Sequence, residues 1–153
     1  VPIKTEVDRS NPFDMGRVDS DLMYGKVINW DWGNSGSPDI YHDVETRKNA
    51  ITYRSNLARL MEQLINEDKL EKAEEIADIA MENMPVDYFG YYTLLEPYIS
   101  GYYEVGNKEK ARQLFKDVST KYQENLAYYG SLKPIVRKSF SKIYTLIFSV
   151  IKV

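Results

Sequence analysis

Cysteine is absent from the 153 residues, and histidine occurs once, at His42. Without thiols there is no disulfide and no thiolate nucleophile, and a single imidazole excludes a Cys/His zinc set. A surplus of positive charge is missing too. Lys and Arg total 20 against 23 Asp and Glu, a net charge of −3, and no basic cluster is long enough to track a phosphate backbone. Nucleic acid is therefore not an expected partner. No run approaches the roughly 20 apolar residues that span a bilayer. The opening ValProIleLys has no Met, no charged leader and no signal-type apolar core, so the chain is expected to be a piece of a longer protein. What is present is ordinary for a globular domain, 43% hydrophobic and 28% charged, with length enough for one substantial core. Tyrosine is the excess: thirteen, clustered at 88–103 and 122–144.

Along the chain the signals are helical. Residues 1–17, with Pro2, Pro12 and Gly16 and no periodicity, read as an extended lead-in. Asp19 can cap a short helix to about Asn29, and residues 30–39 form a loop punctuated by Gly33, Gly36 and Pro38. Asp43 then caps a long helix to about Glu67, with Ala50, Tyr53, Leu57, Leu60 or Met61, and Leu64 on its buried stripe. Asp68 with Glu71 resembles a capping box for a helix to Asn83. An aromatic helix over 88–104 is kinked or restarted at Pro97. Gly106 serves as a left-handed cap, Asn107 caps a helix to about Tyr129, Gly130 and Ser131 break it, and Pro134 opens a last helix.

Residues 57–85 resemble one tetratricopeptide helix-turn-helix unit. Leu57, Leu60 and Leu64 take the first-helix packing positions, Ala73, Ala77 and Ala80 the second, and Pro85 closes the unit. Met61 stands where that pattern wants a small residue, which suggests a looser helix crossing or a slightly shifted register. Tyr102, Gly106, Ala111, Phe115 and Val118 repeat the pattern at an offset of 38 residues, against a usual period of about 34. The expected fold is all-α: tetratricopeptide-like antiparallel helical repeats, about six helices, with an irregular N-terminal arm. Residues 1–45 would form the arm, short helix and Trp/Gly loop packed on the domain, and 46–153 the helical domain, one structural domain overall.

ValAspSerAspLeuMetTyr (18–24), the TrpGlyAsn loop, ProAspIleTyr (38–41), TyrArgSerAsnLeuAlaArgLeu (53–60) and TyrTyr-x-x-Gly-x-x-GluLysAla (102–111) together resemble a further pattern. It is that of the soluble C-terminal region of large bacterial multi-spanning membrane proteins, a domain-of-unknown-function family similar to protein O-mannosyltransferases. The resemblance implies that Val1 follows the last membrane span and that transferase chemistry resides in the absent membrane portion. It also implies a domain facing the periplasm at the inner membrane, touching the membrane only through that missing N-terminal portion.

Catalytic constellations are weak. Asp19-Ser20-Asp21 has the Asp-x-Asp form of metal–nucleotide-sugar sites, but it opens a helix, where acids cap free amides. Ser139 and Lys142 have Ser-x-x-Lys spacing without any accompanying motif. His42 is expected to be a satisfied loop histidine, and Glu74 and Glu75 to lie on a solvated helix face. No catalytic residue, metal or cofactor is expected, and the domain itself is not expected to be an enzyme.

Two binding surfaces remain. Projecting the repeat pattern puts Ser55, Arg59, Glu62 and Asn66 on the inner side of the first helix, flanked by Arg54 and Asn56, with Thr93, Glu96, Ser100 and Tyr103 on the next. Such a mixed polar lining suits an extended polypeptide. Trp30 and Trp32 either pin their loop to the helical layer, the favoured role, or form an aromatic platform for a sugar ring or peptide. The first functional reading is therefore a non-catalytic interaction domain positioning an acceptor polypeptide or partner. The second is a structural module docked on its own membrane domain, and the third a small enzyme or sugar-binding domain using the Trp loop. A pocket converging on Trp30, Trp32 and carboxylates favours the third, an open polar groove the first, and a large exposed apolar patch the second. Residues 143–151 carry no charge and more apolar side chains than one stripe covers. They either lodge between the repeats and the arm or dock onto a second copy or the membrane domain.

Overall fold

The computed structural model describes residues 18–132. The expectations for residues 1–17, for Ser139 and Lys142, and for the helix after Pro134 with its apolar run at 143–151 lie outside the described residues. All described secondary structure is helical: α1 (Ser20–Val27), α2 (Val44–Asn66), α3 (Leu70–Asn83), α4 (Val86–Phe89), a 3-10 turn (Tyr92–Leu94), α5 (Glu96–Glu104) and α6 (Lys108–Ser131). The described residues fall into two compact units, divided between Leu114 and Phe115.

In the first unit the caps set the boundaries. Asp19 accepts from the Leu22 amide at 3.0 Å, and Asp43 from the Thr46 amide at 2.6 Å, starting α1 and α2. The capping box at Asp68 does not form: α3 begins after Lys69 with no side-chain cap. Asp68 instead adopts φ +59°, its amide donating to Ile65 O and the next amide, of Lys69, to Leu64 O. This is the Schellman arrangement that closes a helix, with aspartate in the place glycine usually takes. Gly106, at φ +90°, closes α5 in a similar left-handed turn, and Asn107 accepts from the Lys110 amide to open α6. Pro97 falls in the first turn of α5, so the aromatic stretch restarts there instead of bending.

The core is the seam between α2, α3 and α5. Leu57, Leu60 and Leu64 of α2 are fully covered, as are Ala73, Ala77 and Ala80 of α3. Alanines on α3 bring the two backbones close. Met61 is buried and reaches over Gly101 of α5. A Cβ at Gly101 would stand 2.5 Å from the Met61 sulfur, so bulk on one helix is matched by its absence on the other. Tyr98 and Tyr102 of α5 complete the seam, Tyr98 donating to Arg54 O and Tyr102 to Asp78. Burial and the Asp78 carboxylate both push the Tyr102 phenol's pKa up, so it stays a neutral donor. Lys110 joins Asp78 and Glu74, drawing the start of α6 onto α3. Glu75 is exposed and Glu74 half-buried, in keeping with a solvated face, and both also serve as tie points, Glu75 accepting from Tyr24.

A second ionic cluster docks α1. Ser20 donates to Glu67, and Lys69 bridges Glu67 and Asp21 at 2.8 Å each. In the second unit α6 runs on to Ser131, past Gly130; Val118 and Tyr122 are buried. Phe115, placed at a repeat position, is 59% exposed, so that position does not follow the packing of the repeat pattern.

Two outcomes follow from these contacts. Ala73→Leu inserts three carbons at a fully covered position and should cost about 1–3 kcal/mol, read by urea denaturation. Hydrogen bonds from Lys69, Ser20 and Gln63 hold the Glu67 carboxyl down to about 2, against an ordinary value of 4.5. A carboxylate depressed in the folded state stabilises above its unfolded value, and that contribution is lost as pH falls through the folded one. Melting temperature should therefore fall between pH 4.5 and 2, and Glu67→Gln should flatten that part of the profile.

Candidate ligand-binding site

Four residues of α2, Thr46, Asn49, Ala50 and Tyr53, follow helical i, i+3, i+4, i+7 spacing and form one face. That face is the floor of a cavity of about 380 Å³, at the small end of the roughly 300–1,000 Å³ typical of small-molecule sites. Trp30, Asp31, Trp32 and Ser35 make one wall, and His42, Met84 and Phe89 the other.

The wall carrying the tryptophans is built by its own turn chemistry. Gly33 and Asn34 both have left-handed φ, +57° and +58°, and the Ser35 amide donates back to Trp32 O at 3.0 Å. Two left-handed central residues are the pattern of a type I′ turn, which glycine and asparagine tolerate best. Asp31 accepts from the Gly33 amide at 2.9 Å and fixes the entry to the turn. Ser35 Oγ then donates to Asn83 O at the end of α3. At Gly36 a Cβ would stand 2.0 Å from the Glu82 carbonyl oxygen, so only glycine lets the loop lie this close to α3. His42 Nε2 lies 2.8 Å from Ser35 O, and its ring packs 4.5 Å from that of Phe89, joining the two walls. The satisfied loop histidine expected from the sequence is what the structure contains.

The aromatic rings converge. Trp30 and Trp32 have centroids 5.4 Å apart, and each lies 6.1 Å from Tyr53. The planes are mutually inclined by 59° to 81°, so the rings brace one another edge to face while their remaining surface stays open. Trp30 is 37% exposed and Tyr53 45%, whereas Ala50 beneath them is fully covered. Pinning and presentation are thus combined in the same two indoles. Tyr53, expected on the buried stripe of α2, instead stands at the edge of that stripe and supplies the third ring.

Arg54 corrects the sequence reading most. It was projected beside a polar groove, but it is fully buried. Its guanidinium donates to Met84 O at 2.6 Å and Gly90 O at 2.5 Å, and its Nε has no partner among the described residues. Burial lowers its pKa to about 10, so the group remains a cation at neutral pH. It has no carboxylate partner among the described residues, and its charge rests on the carbonyl end of α3. Position 54 lies four residues from Ala50 and Ala58 and three from Leu57, inside the apolar stripe, which is the sequence signal that placed it in the core. Functionally it is a positioning residue: it ties the segment carrying Met84 and Phe89 to the helix that forms the floor.

The other residues projected onto the groove do not line this cavity. Glu62 and Asn66 of α2 and Glu96, Ser100 and Tyr103 of α5 are exposed, and Asn56 and Arg59 are half-buried. Asp19 is a cap and Asp21 pairs with Lys69 and Lys72, so the Asp-x-Asp carboxylates are structural. Met84 and Phe89 had no sequence signal as site residues, because only the fold brings them to Trp32. Comparison with protein-family models, with curated proteins and with solved structures found no match for this chain.

If Arg54 holds the wall, Arg54→Met should keep the stem's packing but strand the buried Met84 carbonyl and the part-buried Gly90 carbonyl, costing about 1–3 kcal/mol for an unmade buried bond. Tryptophan emission should shift red as the pocket opens. Arg54→Lys should recover only part of this, since an ammonium cannot fork to both carbonyls. Denaturation monitored by indole fluorescence reads both effects.

Proposed function

We propose that this chain is a non-catalytic binding domain on a tetratricopeptide-like helical scaffold, and that it takes its ligand at the Trp30–Trp32–Tyr53 pocket. The observation carrying this reading is the convergence of three partly exposed aromatic rings on one cavity whose walls are fixed by hydrogen bonds. Exposed aromatic area costs free energy in water, and a preformed concave site with a few polar groups at its edge is the usual form of a recognition site. Burial of Leu57, Leu60, Leu64, Ala73, Ala77 and Ala80, and of Tyr102, Ala111 and Val118, supports the repeat pattern. The exposed Phe115 departs from it.

The resemblance noted in the sequence supports a parent protein in which this domain follows a glycosyltransferase-like membrane portion, on the periplasmic side. The polar face of α2 and α5 then has a secondary role in contacts with polypeptide or with that portion. Amide-detected NMR with a library of small neutral fragments tests the location of the site. Binding fragments should move the indole N–H signals of Trp30 and Trp32 and the Tyr53 amide. Shifts centred on Glu62, Ser100 and Tyr103, or no shifts at the indoles, would overturn the assignment.

A further inference from the structure

We infer that the ligand of this pocket is a carbohydrate, with one sugar ring seated against Trp32 and Tyr53 and its hydroxyls met by Asn49 and Asp31; this rests on the pocket being the binding site. A pyranose has two chemically different parts, a face of C–H groups and a belt of hydroxyls. It needs an aromatic surface for the first and forked amide or carboxylate groups at the ring edge for the second. Both are present here.

The aromatic part is the three-ring cluster already described. The polar part lies one helical turn away from Tyr53. Asn49 is exposed on the same face of α2, and its amide has no partner among the described residues. It therefore offers a donor and an acceptor side by side, the pair that two adjacent sugar hydroxyls require. Asp31 lines the same cavity between the two tryptophans, with Oδ1 engaged by the Gly33 amide. That bond orients the carboxylate and leaves Oδ2 free to accept. Ordering Asn49 and Asp31 costs little, because one sits on a helix and the other in a fixed turn.

Other ligand classes fit less well. A quaternary ammonium needs ring faces enclosing it on several sides and negative charge nearby. Here the rings contact one another edge to face, and Asp31 is the single acidic lining residue among the described residues. An extended peptide is usually held by main-chain pairing at a sheet edge or by a long groove. No strand occurs among the described residues, and a cavity of about 380 Å³ holds a short stretch only.

The test is an NMR titration of the isotopically labelled chain with soluble tetrasaccharides of the gluco, manno, galacto and N-acetylhexosamine series. Tetramethylammonium and a proline-rich hexapeptide are run in parallel. At least one tetrasaccharide should shift both indole signals and the Asn49 side-chain amide saturably. Affinity should fall at least tenfold in Asn49→Ala and in Asp31→Asn, and be lost in Trp32→Ala. Asn49 is exposed, so its alanine variant should melt as the parent chain does, which separates recognition from folding. Peptide or ammonium binding at the indoles without any saccharide response would overturn the carbohydrate assignment and leave the pocket as a binding site. Silence from every probe would overturn both, and saccharide binding indifferent to Asn49→Ala and Asp31→Asn would overturn the role given to the polar edge.

Discussion

A buried cation organises the described part of the first unit of this chain. Arg54 stands in the middle of the apolar face of α2, donates to carbonyls at Met84 and Gly90, and through its own carbonyl accepts from Tyr98. Four segments thus meet at one residue: the long helix, the end of α3, the turn after α4, and α5. A guanidinium buried without a carboxylate has lost hydration that only good hydrogen bonds offset. The two carbonyls it holds belong to irregular backbone that no regular helix would satisfy, since Gly90 has φ +65° and Tyr91 φ +48°. The exchange works in both directions. The buried Met84 carbonyl and the part-buried Gly90 carbonyl need a donor, and the charge needs acceptors.

The pocket is a consequence of that arrangement. Arg54 holds both ends of the segment 84–90, at the Met84 and Gly90 carbonyls, and Met84 and Phe89 of that segment line the pocket. The gap is bordered on its other side by the Trp loop, which Ser35 and Gly36 seat on the end of α3. Between the two walls the small side chain of Ala50 leaves depth, and Tyr53, one turn further along α2, supplies the third ring. The site is therefore carried on rigid elements and on a turn fixed by its own hydrogen bonds, the condition under which a recognition surface keeps its geometry in the absence of ligand.

Local chemistry was legible in the sequence, and tertiary exchange was not. Asp19, Asp43 and Asn107 announce helix starts because a cap is decided by three or four neighbouring residues. The leucines and alanines of α2 and α3 announce their seam because their spacing matches the helical period. Asp68 misled because aspartate both caps helices and tolerates the left-handed conformation, and the Schellman bonds of α2 took it first. Arg54 misled because polarity suggests surface, although its position within the apolar stripe said otherwise. Met61 drew notice as a large residue where a small one was expected, and its counterpart, Gly101 on α5, could not be paired with it from local spacing alone. The Trp loop was legible as a place of interest. Its depth was not, since Met84 and Phe89 reach it from residues more than fifty positions away in the chain.

The most direct measurement is a two-dimensional NOE spectrum of the free protein at neutral pH, read at the aromatic and guanidinium protons. Cross-peaks linking the Trp30 and Trp32 indoles to the Tyr53 ring, and the His42 ring to Phe89, are expected. With them should come guanidinium N–H signals of Arg54 that exchange slowly with water. Those signals together would establish a pocket built before any ligand arrives and held from beneath by the buried cation. Sharp, mutually unconnected tryptophan and tyrosine resonances, with Arg54 protons in rapid exchange, would contradict it.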